Sequence, residues 1–77
     1  MKMEPQPAWL GGPSISRYWD RYERMPYWVV YYGLNQSAHF PAVVYGEARA
    51  ERIANDFVRQ LRSGVDWTTA YGLLPEL

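Results

Sequence analysis

Tyr27-Trp28-Val29-Val30-Tyr31-Tyr32 is a run of six aromatic and β-branched residues, and no charged residue follows it until after Gly46. Side chains of this kind fit a pleated surface and crowd a helix. Their hydrophobicity is continuous rather than alternating, which predicts the central strand of a sheet. The residues beyond it predict its neighbours. Gly33-Leu34-Asn35-Gln36-Ser37 is polar and turn-rich, so the chain reverses into a second, antiparallel strand over Ala38-His39-Phe40-Pro41-Ala42-Val43. Pro41 has no amide to donate to a ladder, which makes that strand an edge or interrupts it. Tyr45-Gly46 then turns the chain into a helix.

The helix is expected from about Glu47 to Arg62. Ala50, Ile53, Ala54, Phe57, Val58 and Leu61 recur at the spacing of one helical face. Glu47 and Glu51 lie toward its start and Arg59 and Arg62 toward its end, as the helix dipole favours, and Ser63-Gly64 supplies a stop. Asp66 can cap a short second helix over residues 67–74, ended by Pro75, with Trp67, Ala70, Tyr71 and Leu74 on one face. Upstream, Ile15 to Asp20 reads as a first strand. Arg17 to Met25 also fits a short helix capped by Ser14 or Ser16, and Pro26 ends either element. Pro5, Pro7, Gly11, Gly12 and Pro13 deny regular structure to residues 1–14, which read as an extended arm that Trp9 and Leu10 could pin. The expected fold is therefore α+β: a small antiparallel sheet of two to three strands packed against one amphipathic helix, with a short C-terminal helix, in a single domain over residues 15–77.

A chain of 77 residues builds only a small core. Four tryptophans and seven tyrosines compensate, since each buries a large area while keeping a polar tip available to water. No cysteine is present, which excludes disulfides and thiolate metal sites and fits a reducing compartment. Eight basic and eight acidic side chains balance, so the bulk attraction to phosphate that marks most nucleic-acid binders is missing. No apolar run reaches the length of a membrane span, and Met3-Glu4-Pro5-Gln6-Pro7 breaks any signal core. The expectation is a cytoplasmic protein without membrane contact.

Catalysis has little material. The one histidine, His39, sits on a strand with Ser37 beside it in sequence, whereas a nucleophile needs a base and an orienting group that converge in space. Asp20 with Glu23 and Glu47 with Glu51 are explained by charge pairing and by the helix dipole. Gly11-Gly12 lacks the setting of a phosphate loop. The chain is expected to be no enzyme and to hold no metal or cofactor.

Binding has more. One helix covers one face of a sheet, so half of Tyr27 to Tyr32, with Tyr18 or Trp19, must face something else. Arg49, Arg52, Arg59 and Arg62, with Asp56 among them, form a basic helix face in which Asp56 can pair with Arg52 or Arg59. Tyr, Trp and Arg concentrate binding energy at interfaces. Tyr18, Trp19, Tyr22 and Trp28 are the expected anchors, and Arg17, Arg21 and Arg24 the rim charges. A protein partner leads, with nucleic acid and a second copy of the chain as alternatives.

Tyr18-Trp19-Asp20, Tyr27-Trp28-Val29-Val30 and the segment from His39 through Gly46 to Ala54 together resemble the apetala-type (ethylene-response-factor-like) DNA-binding domain over residues 15–62. The resemblance implies a three-stranded antiparallel sheet followed by one packed helix. It also implies DNA reading by arginines, lysines and tryptophans of the exposed sheet face, for which Arg17, Arg21, Arg24 and Trp28 are the matching residues. In size and neutrality the chain also resembles small phage-encoded accessory proteins of the anti-CRISPR kind, which implies a non-enzymatic inhibitor that blocks a host nucleic-acid-handling complex.

Overall fold

The structure, a computed structural model, describes residues 12–33 and 36–75. Three strands, β1 (Ser14–Asp20), β2 (Met25–Tyr31) and β3 (Ser37–Pro41), form an antiparallel sheet in the order β1-β2-β3. A helical turn α1 (Ala42–Tyr45), the helix α2 (Glu47–Arg62) and a short helix α3 (Trp67–Gly72) follow. The aromatic run is the central strand, as its continuous hydrophobicity requires. The expected arm lies mostly outside the described residues, and so do the proposed pinning by Trp9 and Leu10 and the loop positions 34 and 35.

Residues 15–25, open between strand and helix on sequence, resolve as strand followed by the turn at 21–24. Asp20 closes this turn, accepting from the amides of Tyr22 at 2.9 Å and Glu23 at 3.2 Å. Such a carboxylate-to-amide turn competes with helix at this composition. Pro26 does not end an element, contrary to expectation. It is buried inside β2 opposite Trp19, and β3 ends opposite Tyr27, so no ladder is served on the β3 side of Pro26. The expected second strand over residues 38–43 is also corrected. Pro41 is its last residue, and Ala42 and Val43 begin α1 instead, because the chain leaves the ladder at a residue that cannot donate to it.

Gly46 joins α1 to α2 at φ 86°, a left-handed value that disfavours any side chain at this corner. The six residues of the apolar stripe on α2 are all buried. They pack on Trp28, Val30, Ala38 and Phe40 of the sheet, with Phe57 edge-on to Trp67 and tilted on Phe40, 5.1 and 5.7 Å between centroids. Asp66 caps α3 by accepting from the amide of Thr69, and Ala70 is the buried residue of that helix. α3 therefore closes the core at the end where β1 starts.

Candidate functional site

Pairing of Ser16 with Val29, Tyr18 with Tyr27 and Asp20 with Met25 sorts the sheet into two faces. Ile15, Arg17 and Trp19 stand on the helix side with Val30, Trp28 and Pro26. Ser16 and Tyr18 stand on the outer side with Val29, Tyr27 and Tyr31, and β3 adds His39 and Pro41 there. Among the described residues no helix covers this outer side, as a single-helix cover demands. It is nonetheless closed over its centre: Val29 is only 2% exposed.

The closure comes from ring packing. Tyr18 stacks on Tyr27 at 5.5 Å, and Tyr27 on His39 at 6.2 Å and 6° between planes. Tyr18 and His39 flank Tyr27 from the two neighbouring strands, so both faces of the central ring are occupied. The Tyr18 and Tyr31 hydroxyls meet at 2.7 Å. This bond, followed by burial, pushes the Tyr31 phenol up to about 12.

Unsatisfied aromatic surface gathers at one end instead. α2 starts at Glu47, whose carboxylate lies 3.9 Å from Arg17, and ends at Arg62, whose Nε–H donates to the Pro13 carbonyl at 3.2 Å. The helix thus lies over β1 only from Arg17 back toward Pro13. Trp19 stands beyond its start and is 57% exposed. Tyr22, at the tip of the β1–β2 turn, is 98% exposed. An open depression of 510 Å³ at this end is lined by Trp19, Asp20, Arg21, Tyr22, Tyr27, His39 and Pro41.

The seven expected interface residues divide accordingly. Tyr18 at 40% exposure, Trp19, Arg21, Tyr22 and Arg24 lie on or around this end. Trp28 does not. It is 5% exposed and belongs to the core, since its position in β2 alternates onto the helix side, where Phe40 and Ile53 also pack. Arg17 shares that side; its guanidinium lies 5.8 Å from the Trp28 ring centre and near Glu47, so it braces the helix start. Tyr27, His39 and Pro41 are lining residues that the sequence reading left out. The spacing across the turn could have found Tyr27, because a four-residue turn at 21–24 places Tyr18 against it, whereas His39 and Pro41 join through the β2–β3 register.

The sheet face to which the apetala-type resemblance assigns DNA reading carries no arginine or lysine among the described residues of β1, β2 and β3. On the helix, Asp56 pairs with Arg59, Arg62 holds Pro13, and Arg49 and Arg52 are exposed. Among the described residues no cluster of three histidine or acidic side chains could hold a metal ion, and no helix is long and apolar enough to cross a membrane. Compared with protein-family models, with curated proteins and with solved structures, the chain returns no match.

Proposed function

We propose that this chain is a non-enzymatic protein-binding module that acts through the β1–β2 end of its sheet, with Trp19 and Tyr22 as anchors, Tyr18 beside them and Arg21 and Arg24 as rim charges. The carrying observation is the exposure of Trp19 and Tyr22 on a hairpin whose turn is fixed by Asp20. Large rings held on a rigid element lose little conformational entropy on docking. The form of this function put forward first is a cytoplasmic inhibitor of the anti-CRISPR kind, which occupies a surface of a host nucleic-acid-handling complex.

Charge placement favours protein over nucleic acid as the partner: among the described residues the outer face of the sheet carries no arginine or lysine to meet phosphates. Arg17, which the DNA-binding alternative would use, faces the helix and Glu47.

The test is affinity capture from nuclease-treated lysate with the full chain and with a Trp19→Ser/Tyr22→Ser variant checked for native folding. The expected result is a protein complex retained by the parent and lost by the variant. Retention of nucleic acid alone, or equal capture by both proteins, would refute the reading. Fluorescence titration with duplex DNA at low salt checks the alternative: binding that weakens steeply with salt and flattens in an Arg21→Ala/Arg24→Ala variant would favour it.

A further inference from the structure

We infer that the free edge of β1 pairs antiparallel with β1 of a second copy of the chain, in a register centred on Tyr18, an inference that rests on the reading of Tyr18 and Trp19 as interface residues and names their first partner. The direction of the backbone groups carries it. Tyr32 donates its amide to the Gln36 carbonyl at 2.8 Å, in line with the β2–β3 register, so alternate residues of β2 back to Trp28 direct their N–H and C=O groups toward β3. Tyr27, Val29 and Tyr31 direct theirs toward β1, where Tyr18, Ser16 and Ser14 meet them. Ile15, Arg17 and Trp19 are left pointing to the open side of β1, and among the described residues no backbone group bonds to them there. β1 has none of the devices that blunt an edge, since it holds no proline, no lysine and no break in register. The opposite edge has one, because the same alternation turns the missing N–H of Pro41 outward from β3.

Side chains select the partner and the register. A closed two-fold pairing of β1 with itself can be centred on Ser16, Arg17, Tyr18 or Trp19. Centring on Arg17 sets that arginine against its own copy, and centring on Trp19 sets Arg17 against Arg21; like charges directly opposite are destabilising. Centring on Ser16 leaves Trp19 unpaired. Centring on Tyr18 sets Arg17 against Trp19 of the second copy on the helix side, repeating the approach of the Arg17 guanidinium to the Trp28 ring. On the outer side Tyr18 meets Tyr18 of the second copy, so the row of His39, Tyr27 and Tyr18 continues across the junction. Ser16 meets Asp20 of the second copy. Oδ1 of Asp20 serves the turn amides, which leaves Oδ2 to accept from the serine hydroxyl. The exposed rings of β1, Trp19 and Tyr18, are the ones this register covers.

The experiment is sedimentation of the full-length protein over a range of concentrations, together with oxidative cross-linking of Tyr18→Cys and Ser16→Cys, each of which gives a single thiol to a chain that has no cysteine of its own. The expected result is a mass that rises with concentration to that of two copies, and a disulfide-linked dimer from Tyr18→Cys, whose thiols face each other across the two-fold axis. Ser16→Cys should cross-link far less, because its two copies lie four positions out of register, about 13 Å apart. Trp19→Lys changes an exposed side chain and should keep the fold while weakening self-association by about tenfold. A single-copy mass at every concentration, equal cross-linking of the two cysteine variants, or unchanged self-association in Trp19→Lys overturns the inference. If it falls while Trp19-dependent capture of a host protein persists, the protein-binding reading stands without it. Self-association with no host protein captured supports the inference and refutes the host-binding form of that reading.

Discussion

The hydroxyls of Tyr18 and Tyr31 meet at 2.7 Å although the two residues belong to different rungs of the β1–β2 ladder, with the Ser16–Val29 rung between them. Each side chain leans along its strand, and together they roof Val29. The outer face of the sheet thereby gains a small closed centre of its own.

This bond has a titration signature. With the Tyr31 phenol raised to about 12 from its usual 10.0, its stabilising contribution is complete below pH 10 and is lost as the pH rises from about 10 to about 12. Ultraviolet titration of tyrosinate formation should show one late-ionising phenol in the parent. Tyr18→Phe should bring Tyr31 down toward the ordinary value and cost about 0.5–1.5 kcal/mol in urea unfolding. A late phenol that persists in Tyr18→Phe would show that burial, rather than the bond, raises it.

Phe57 touches the sheet and α3 at once, through Phe40 and Trp67. Phe57→Ala should cost about 3–5 kcal/mol. In so small a domain that is most of the stability, and loss of cooperative thermal unfolding by circular dichroism is the expected observation. A variant that unfolds cooperatively near the parent temperature would place the core elsewhere.

Arg24 is the one non-glycine residue with positive φ among the described residues, at 53°. A left-handed conformation costs an ordinary residue about 1–2 kcal/mol, and glycine returns part of that gain as unfolded-state entropy. Arg24→Gly should therefore raise stability by up to about 1 kcal/mol, read as a higher melting temperature. The same variant should weaken partner capture if the guanidinium is a rim contact, so stability and binding move in opposite directions.

Asp66 fastens α3 through the amide and hydroxyl of Thr69, and these bonds hold its carboxyl below the usual carboxylate value. Its contribution is present above the ordinary carboxylate pKa of 3.8 and is lost as the pH falls through its lowered folded value. Asp66→Ala should speed hydrogen exchange over Trp67–Gly72 at neutral pH and leave β2 protected. Asp66→Asn should retain the cap and remove its acid dependence.

Local chemistry alone specifies much of this protein. The stripe from Ala50 to Leu61 specifies both the existence of α2 and its buried side, because a period of 3.6 residues places those six residues on one face whatever they pack against. Asp66 before a short apolar repeat specifies the start of α3 through one side-chain bond to a nearby amide. The unbroken hydrophobicity from Tyr27 to Tyr32 identifies the strand with partners on both edges. Less is legible at the site. Tyr18, Trp19 and Tyr22 could be named as exposed candidates, but Trp28 and Arg17 could not be separated from them. Only the tertiary structure decided that division, for two reasons. Side chains in a strand alternate, so a one-residue change in register would exchange the two faces, and the register is set by pairing across the turn at 21–24. Exposure along a face then depends on where the covering helix stops: α2 begins level with Arg17, which leaves Trp28 beneath it and Trp19 beyond its end.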